Sequence, residues 1–171
     1  MGLDITAYKN AKIIDRLPDI EDWETKYWEN PDYPQTDYIG NYHADSFPEW
    51  RDGLELGAVY QYEDSYSFRA GSYYNFWLWR DWLSTAILGV SAGVVWDKTE
   101  KYQNSPFYRL INFSDREGII GPLTAKSLAT DFQEFQRAID ELGCDGWLKD
   151  KYADWRKAFE YAAENGYVDF H

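Results

Sequence analysis

Two short stretches gather side chains that could do chemistry. In FRAGSY, Arg69 precedes Ser72 and Tyr73. A guanidinium meets phosphate or carboxylate through paired hydrogen bonds. The N–H groups of a helix opening after Ser72 offer an anion site, and Tyr73 or Trp77 could stack on a flat base. The plainer assignment is a helix cap at Ser72 with Arg69 in a structural ion pair. In NFSDREG, Asn112, Ser114, Asp115 and Glu117 crowd one turn ahead of Gly118. Such groups hydrogen-bond a base edge or ribose hydroxyls, and they also make an ordinary Asx turn.

A third arrangement is catalytic. Asp169 and His171 are two residues apart, so a strand there places both on one face, where with a distant carboxylate they could also ligate a metal. If that strand lay beside the NFSDREG turn, Asp115, Glu117 and His171 would converge as a carboxylate-dependent hydrolase, with His171 carrying the proton near neutrality. Other chemistry has little footing. His43 and His171 are the two histidines, and no HxH, HExxH or CxxC spacing is present, so no metal or cofactor is expected. Cys144 sits beside Asp145 with no histidine near it in sequence, which argues against an activated thiolate. Neither a GxSxG elbow nor a phosphate-binding glycine loop occurs.

The elements that must position these residues follow from periodicity. LDITAY alternates apolar and polar residues, so Leu3 to Tyr8 reads as a half-buried strand. Asp19 can cap a short helix over Ile20 to Asn30. The segment from Asn30 to Trp50, rich in Pro, Asp, Asn and Gly, reads as a long aromatic loop. Gly57 to Gly71 reads as a hairpin turning at Glu63-Asp64-Ser65. Ser72 then caps a helix from Tyr73 to about Leu88, with Phe76, Trp79, Leu83 and Ile87 at helical spacing. Val90 to Tyr108 reads as a mobile connection. Pro122 opens a helix with the stripe Leu128, Phe132, Phe135, Ile139 and Leu142, and Gly143 ends it. A last helix runs from about Trp147 to Glu164, and YVDFH returns as a strand. The expectation is one α+β domain: a small antiparallel sheet of about four strands packed with three main helices.

Composition narrows the partners. Thirty acidic against 17 basic residues give a net charge of −13 with no basic cluster, which argues against direct nucleic-acid binding. Aromatic residues form 19% of the chain, enough to fill a core and still supply a binding surface. One cysteine excludes an intrachain disulfide, no apolar run reaches membrane-spanning length, and no secretory signal is visible. A cytoplasmic protein is expected, away from membranes.

The blocks MGLDITAY, FRAGSYYNFW, LINFSDREGIIGP and WRKAFEYAAENGYVDFH resemble, in that order, a family of hypothetical proteins of phages, prophages and bacterial genomes. The resemblance covers most of the chain except residues 30–50. It implies a phage or mobile-element setting, hence a host cytoplasm, and brings no catalytic residues with it. The leading expectation is a non-catalytic protein binding a nucleotide-like small molecule, with Arg69, Ser72, Tyr73, Trp77, Asn112, Ser114, Asp115 and Glu117 as the site. The alternative is an acidic, aromatic inhibitor of a host defence or nucleic-acid enzyme, and the hydrolase ranks third. A ring-lined concavity beside Arg69 favours the small ligand. A flat acidic face favours a protein.

Overall fold

The computed structural model describes residues 2–40, 47–114 and 116–171. His43 and Asp115 lie outside them. Strand β1 (Gly2–Lys9) alternates as its sequence requires, burying Leu3, Ile5 and Ala7. It is flanked by β5 (Asp64–Ser72) and β7 (Tyr167–Phe170), and β6 (Gly118–Ile120) lies on the far side of β7. The order β5-β1-β7-β6 makes a four-stranded sheet, antiparallel at every pairing. The expected α+β architecture is therefore present, with one strand exchanged.

The exchange corrects the hairpin expected over Gly57 to Gly71. Strand β4 (Ala58–Gln61) does not fold back on β5. It belongs to a second, three-stranded sheet, between β2 (Lys12–Arg16) and β3 (Thr36–Ile39). The chain runs onward from β4 into β5, pairing first with β2 and then with β1. Gln61 stands opposite Lys12, Asp64 opposite Lys9, and the Glu63 N–H donates to the Lys9 carbonyl at 3.0 Å. Alternation reports that a segment is a strand, while its partner here lies some fifty residues upstream. Between them, Asn10 turns the ribbon with φ of 50°.

Helix α1 (Ile20–Lys26) starts at the expected cap, where the Asp19 carboxylate accepts the Asp22 N–H at 3.0 Å. It ends four residues earlier than expected. The Asn30–Trp50 stretch is not all loop, because β3 lies within it. The Val90–Tyr108 connection is also more ordered than expected. It holds α3 (Ala92–Asp97) and α4 (Thr99–Tyr102), then leads into α5 (Tyr108–Ile111). Val95, Tyr102 and Phe107 anchor it in the core.

Helices α2 (Tyr73–Leu88), α6 (Pro122–Glu141) and α7 (Gly146–Ala162) cover the apolar face of the four-stranded sheet. Phe76, Trp79, Phe132, Trp155 and Phe159 are fully buried there with Ile5 and Phe170. Burial of one such phenylalanine contributes about 2–3 kcal/mol. Two buried ring ends in this core have partners: the Trp79 indole donates to the Leu148 carbonyl at 3.2 Å, and the Tyr152 hydroxyl to the Phe132 carbonyl at 2.8 Å. No helix among the described residues is long and apolar enough to cross a membrane.

Candidate functional site

The face of the four-stranded sheet opposite the helices gathers polar side chains from β1, β5 and β7, beside Tyr8, Ile119 and Tyr167, which pack into a separate apolar cluster. Asp4 and Thr6 alternate with the buried Leu3, Ile5 and Ala7 and so point away from the helices. Arg69 stands directly across from Asp4 because the register slips between Leu3 and Asp4, leaving Ala70 as the extra residue. The pair closes at 3.2 Å with both side chains about half exposed. A Cβ on Gly2 would overlap the Arg69 guanidinium, so the bare backbone there forms its seat. On the other side of β1, Asp4 exchanges backbone hydrogen bonds with His171 at 2.8 and 3.0 Å.

The His171 ring nitrogen Nε2 lies 3.0 Å from the Thr6 hydroxyl, which is 3.0 Å from the Ser67 hydroxyl. Asp169 stands opposite Thr6 and is buried. Gly118 pairs with Phe170, which brings Glu117 level with His171 at the sheet's edge. Arg69, Asp4, His171 and Glu117 thus form one row. By strand spacing of ~4.8 Å it spans about 14 Å. The terminal strand does lie beside the NFSDREG segment, as convergence of Glu117 and His171 requires, while Asp115 falls outside the described residues. Arg69 is already paired with Asp4, and Glu117 adds a further carboxylate to the row, so the patch suits hydroxyl-bearing ligands better than a bare phosphate. Among the described residues no three His, Cys, Asp or Glu side chains cluster to hold a metal.

The remaining predicted residues are committed elsewhere. The Ser72 hydroxyl caps α2, accepting the Asn75 N–H at 3.1 Å. Tyr73 packs partly against the core, and Trp77 lies parallel to Tyr74 with centroids 5.9 Å apart. Helix α2 covers the apolar face, so these rings and Arg69 belong to opposite layers. Among the described residues, five clefts have walls that include none of Arg69, Ser72, Tyr73 and Trp77. Asn112 donates to the Tyr108 hydroxyl at 3.1 Å, and Ser114 accepts the Arg116 N–H at 3.2 Å. Both act within their own turn.

Sequence reasoning missed Arg80, which positions that turn. It is buried on α2 and donates to the carbonyls of Phe113 at 2.6 Å and Ile111 at 3.4 Å. Its guanidinium lies 4.4 Å from the Phe76 ring centroid and 5.4 Å from that of Trp96. The available signal was its place in the apolar stripe, four residues after Phe76 and three before Leu83.

A second surface surrounds α1. Trp23 and Tyr27, four apart, turn inward with Tyr38 and Val59. Asp15 fastens the helix to β2, accepting from Lys26 Nζ at 2.6 Å and from the Tyr27 hydroxyl at 2.8 Å. Those two bonds, aided by the Arg16 N–H, hold its carboxyl at about 2. Beyond the helix, Asn30 donates to the Lys26 carbonyl at 2.9 Å and accepts the Asp32 N–H at 3.0 Å. The loop so fixed closes a cleft of about 250 Å³ whose walls include Trp23, Tyr27, Trp28, Tyr33 and Tyr62, with Glu29 among them. Trp28 is 61% exposed and Tyr33 43%. Between Asp19 and Asp37 the chain carries seven carboxylates and one lysine.

A third cleft, of about 280 Å³, lies between Gln103–Arg109 and α6 and is polar. Asp131 in its wall accepts the Phe107 N–H at 2.8 Å, and burial raises its carboxyl above the usual range. No family model, curated protein or solved structure matches the chain.

Proposed function

We propose that this chain is a non-catalytic binding protein whose acidic, ring-bearing surface around α1 docks a basic protein. One observation carries the reading: the ring-lined concavity has Glu29 in its wall, within a stretch of seven carboxylates and one lysine, and is not lined by Arg69. Ile20, Trp28 and Tyr33 are exposed in the same stretch. Aromatic anchors inside a charged rim are the anatomy of a protein interface, and single-sign charge speeds encounter with a partner of opposite sign. The resemblance to phage and prophage proteins makes a host defence or nucleic-acid enzyme the partner class.

The test is recovery of a partner from bacterial lysate with the intact protein and with a triple variant Glu21→Lys, Asp22→Lys, Glu24→Lys. One stoichiometric partner, lost in the variant and weakened at about 0.5 M salt, is expected. Recovery that is indifferent to the variant defeats the reading.

The polar row on the sheet favours a second reading, a nucleotide-like small molecule held by Arg69, Thr6, Ser67, His171 and Glu117. Thermal-shift measurements with cyclic and ADP-ribose-type nucleotides test it. A shift abolished by Arg69→Ala supports it, and no shift with any of them removes it.

A further inference from the structure

We infer that the ring-lined cleft beside α1 is an anchor site for one cationic side chain, the lysine ammonium or arginine guanidinium of a basic peptide segment. This rests on reading the α1 surface as a docking face and names what that face grips. Trp23, Tyr27, Trp28, Tyr33 and Tyr62 supply the walls and Glu29 the counter-charge. A ring face attracts a cation through its quadrupole, most strongly for tryptophan. One of these rings already carries a cation: Lys26 Nζ lies 5.2 Å from the Tyr27 centroid.

The cleft is also preformed. Trp28 meets Trp23 edge-on at 73°, and Tyr33 meets Tyr27 at 82°. Neither pair is stacked, so no parallel ring from its partner covers Trp28 or Tyr33. Asn30 pins the loop at both ends, and the Tyr33 N–H donates to the Asn30 carbonyl at 3.0 Å. Little ordering is then left for the binding event to supply.

Charge selects among occupants. A nucleobase would bring phosphate into a stretch with seven carboxylates and one lysine, and that lysine is held by Asp15. An apolar side chain would strip water from Glu29 without replacing its hydrogen bonds. A cationic side chain satisfies the rings and the carboxylate together, and a volume of about 250 Å³ admits it.

The experiment titrates the intact protein with N-acetyl-arginine amide, N-acetyl-lysine amide and, as neutral control, N-acetyl-norleucine amide. Indole N–H resonances are followed by NMR. Saturable shifts of Trp28 and Trp23 with a cationic amide, and responses at least about fivefold weaker with norleucine, are expected. The two cationic arms show which head group is preferred. Trp28→Ala and Glu29→Gln should each weaken a hexa-arginine peptide by about three- to tenfold, with an unchanged fold by circular dichroism. Equal responses to the neutral and cationic amides, or none to the peptide, overturn the anchor. If partner recovery from lysate then survives in Trp28→Ala, the anchor falls and the docking face stands. If the amides bind and no partner is recovered, the docking reading falls alone.

Discussion

Asp15 ties β2 to α1, and its ionisation gives that tie a pH dependence. The folded carboxyl titrates at about 2 against an ordinary value of 3.8. A depressed acid contributes stability that is complete above its unfolded value and is lost as pH falls through the folded one. The contribution therefore persists down to about pH 4 and disappears towards pH 2. Carboxyl NMR titration should find the low midpoint in the native protein, and Lys26→Met should move it upward, since the lysine hydrogen bond is the largest cause. Arg69 behaves differently. Its pair with Asp4 is half exposed, so Arg69→Ala should cost under about 1 kcal/mol in urea denaturation. Loss of ligand binding in that variant would then not be a folding effect.

At the scale of elements, Arg80 joins α2 to the segment entering β6. Arg80→Met keeps the apolar stem but leaves the carbonyls of Ile111 and Phe113 without this donor. A loss of about 3 kcal/mol is expected, read as a fall in urea midpoint. Gly166 marks a second junction, where α7 hands the chain to β7. A Cβ there would overlap the Tyr8 carbonyl, and backbone cannot step aside as a side-chain tip can. Gly166→Ala should cost several kcal/mol, about 3 or more. Local signals were legible where local physics decides. Ser72, Asp19 and Pro122 open their helices as their chemistry dictates, and the stripe from Leu128 to Ile139 faces the core. Pairing partners were not legible. Tyr60 and Tyr66 read as one hairpin yet serve two sheets, because alternation carries no address. Strand β2 has only five residues and was missed, and the helices of residues 92–111 are too short to show a period. Of the candidate site, Arg69, Glu117 and His171 were named, but the row that unites them needed β1 and β7 between its ends. The ring-lined cleft was visible only as an unusual density of aromatics in a loop.

For the whole molecule, net charge governs encounter. With −13 overall and acids crowding α1, association with a basic partner should slow as salt rises while dissociation changes little, measurable by stopped-flow. The order of strands has a different consequence. One of the sheet's two interior strands, β7, is built from residues 167–170, and it sits between β1, built from residues 2–9, and β6. A chain cut before Tyr167 would keep both neighbours about 10 Å apart by strand spacing, each with an unpaired rim. That gap has the dimensions of one short peptide. Fragment complementation follows: residues 1–166 should remain loosely packed by near-ultraviolet circular dichroism, and a synthetic YVDFH added in trans should restore native ellipticity. The same peptide with Val168 and Phe170 replaced by serine should not, since those two side chains fill the core. The five residues would then serve as a removable key to the fold.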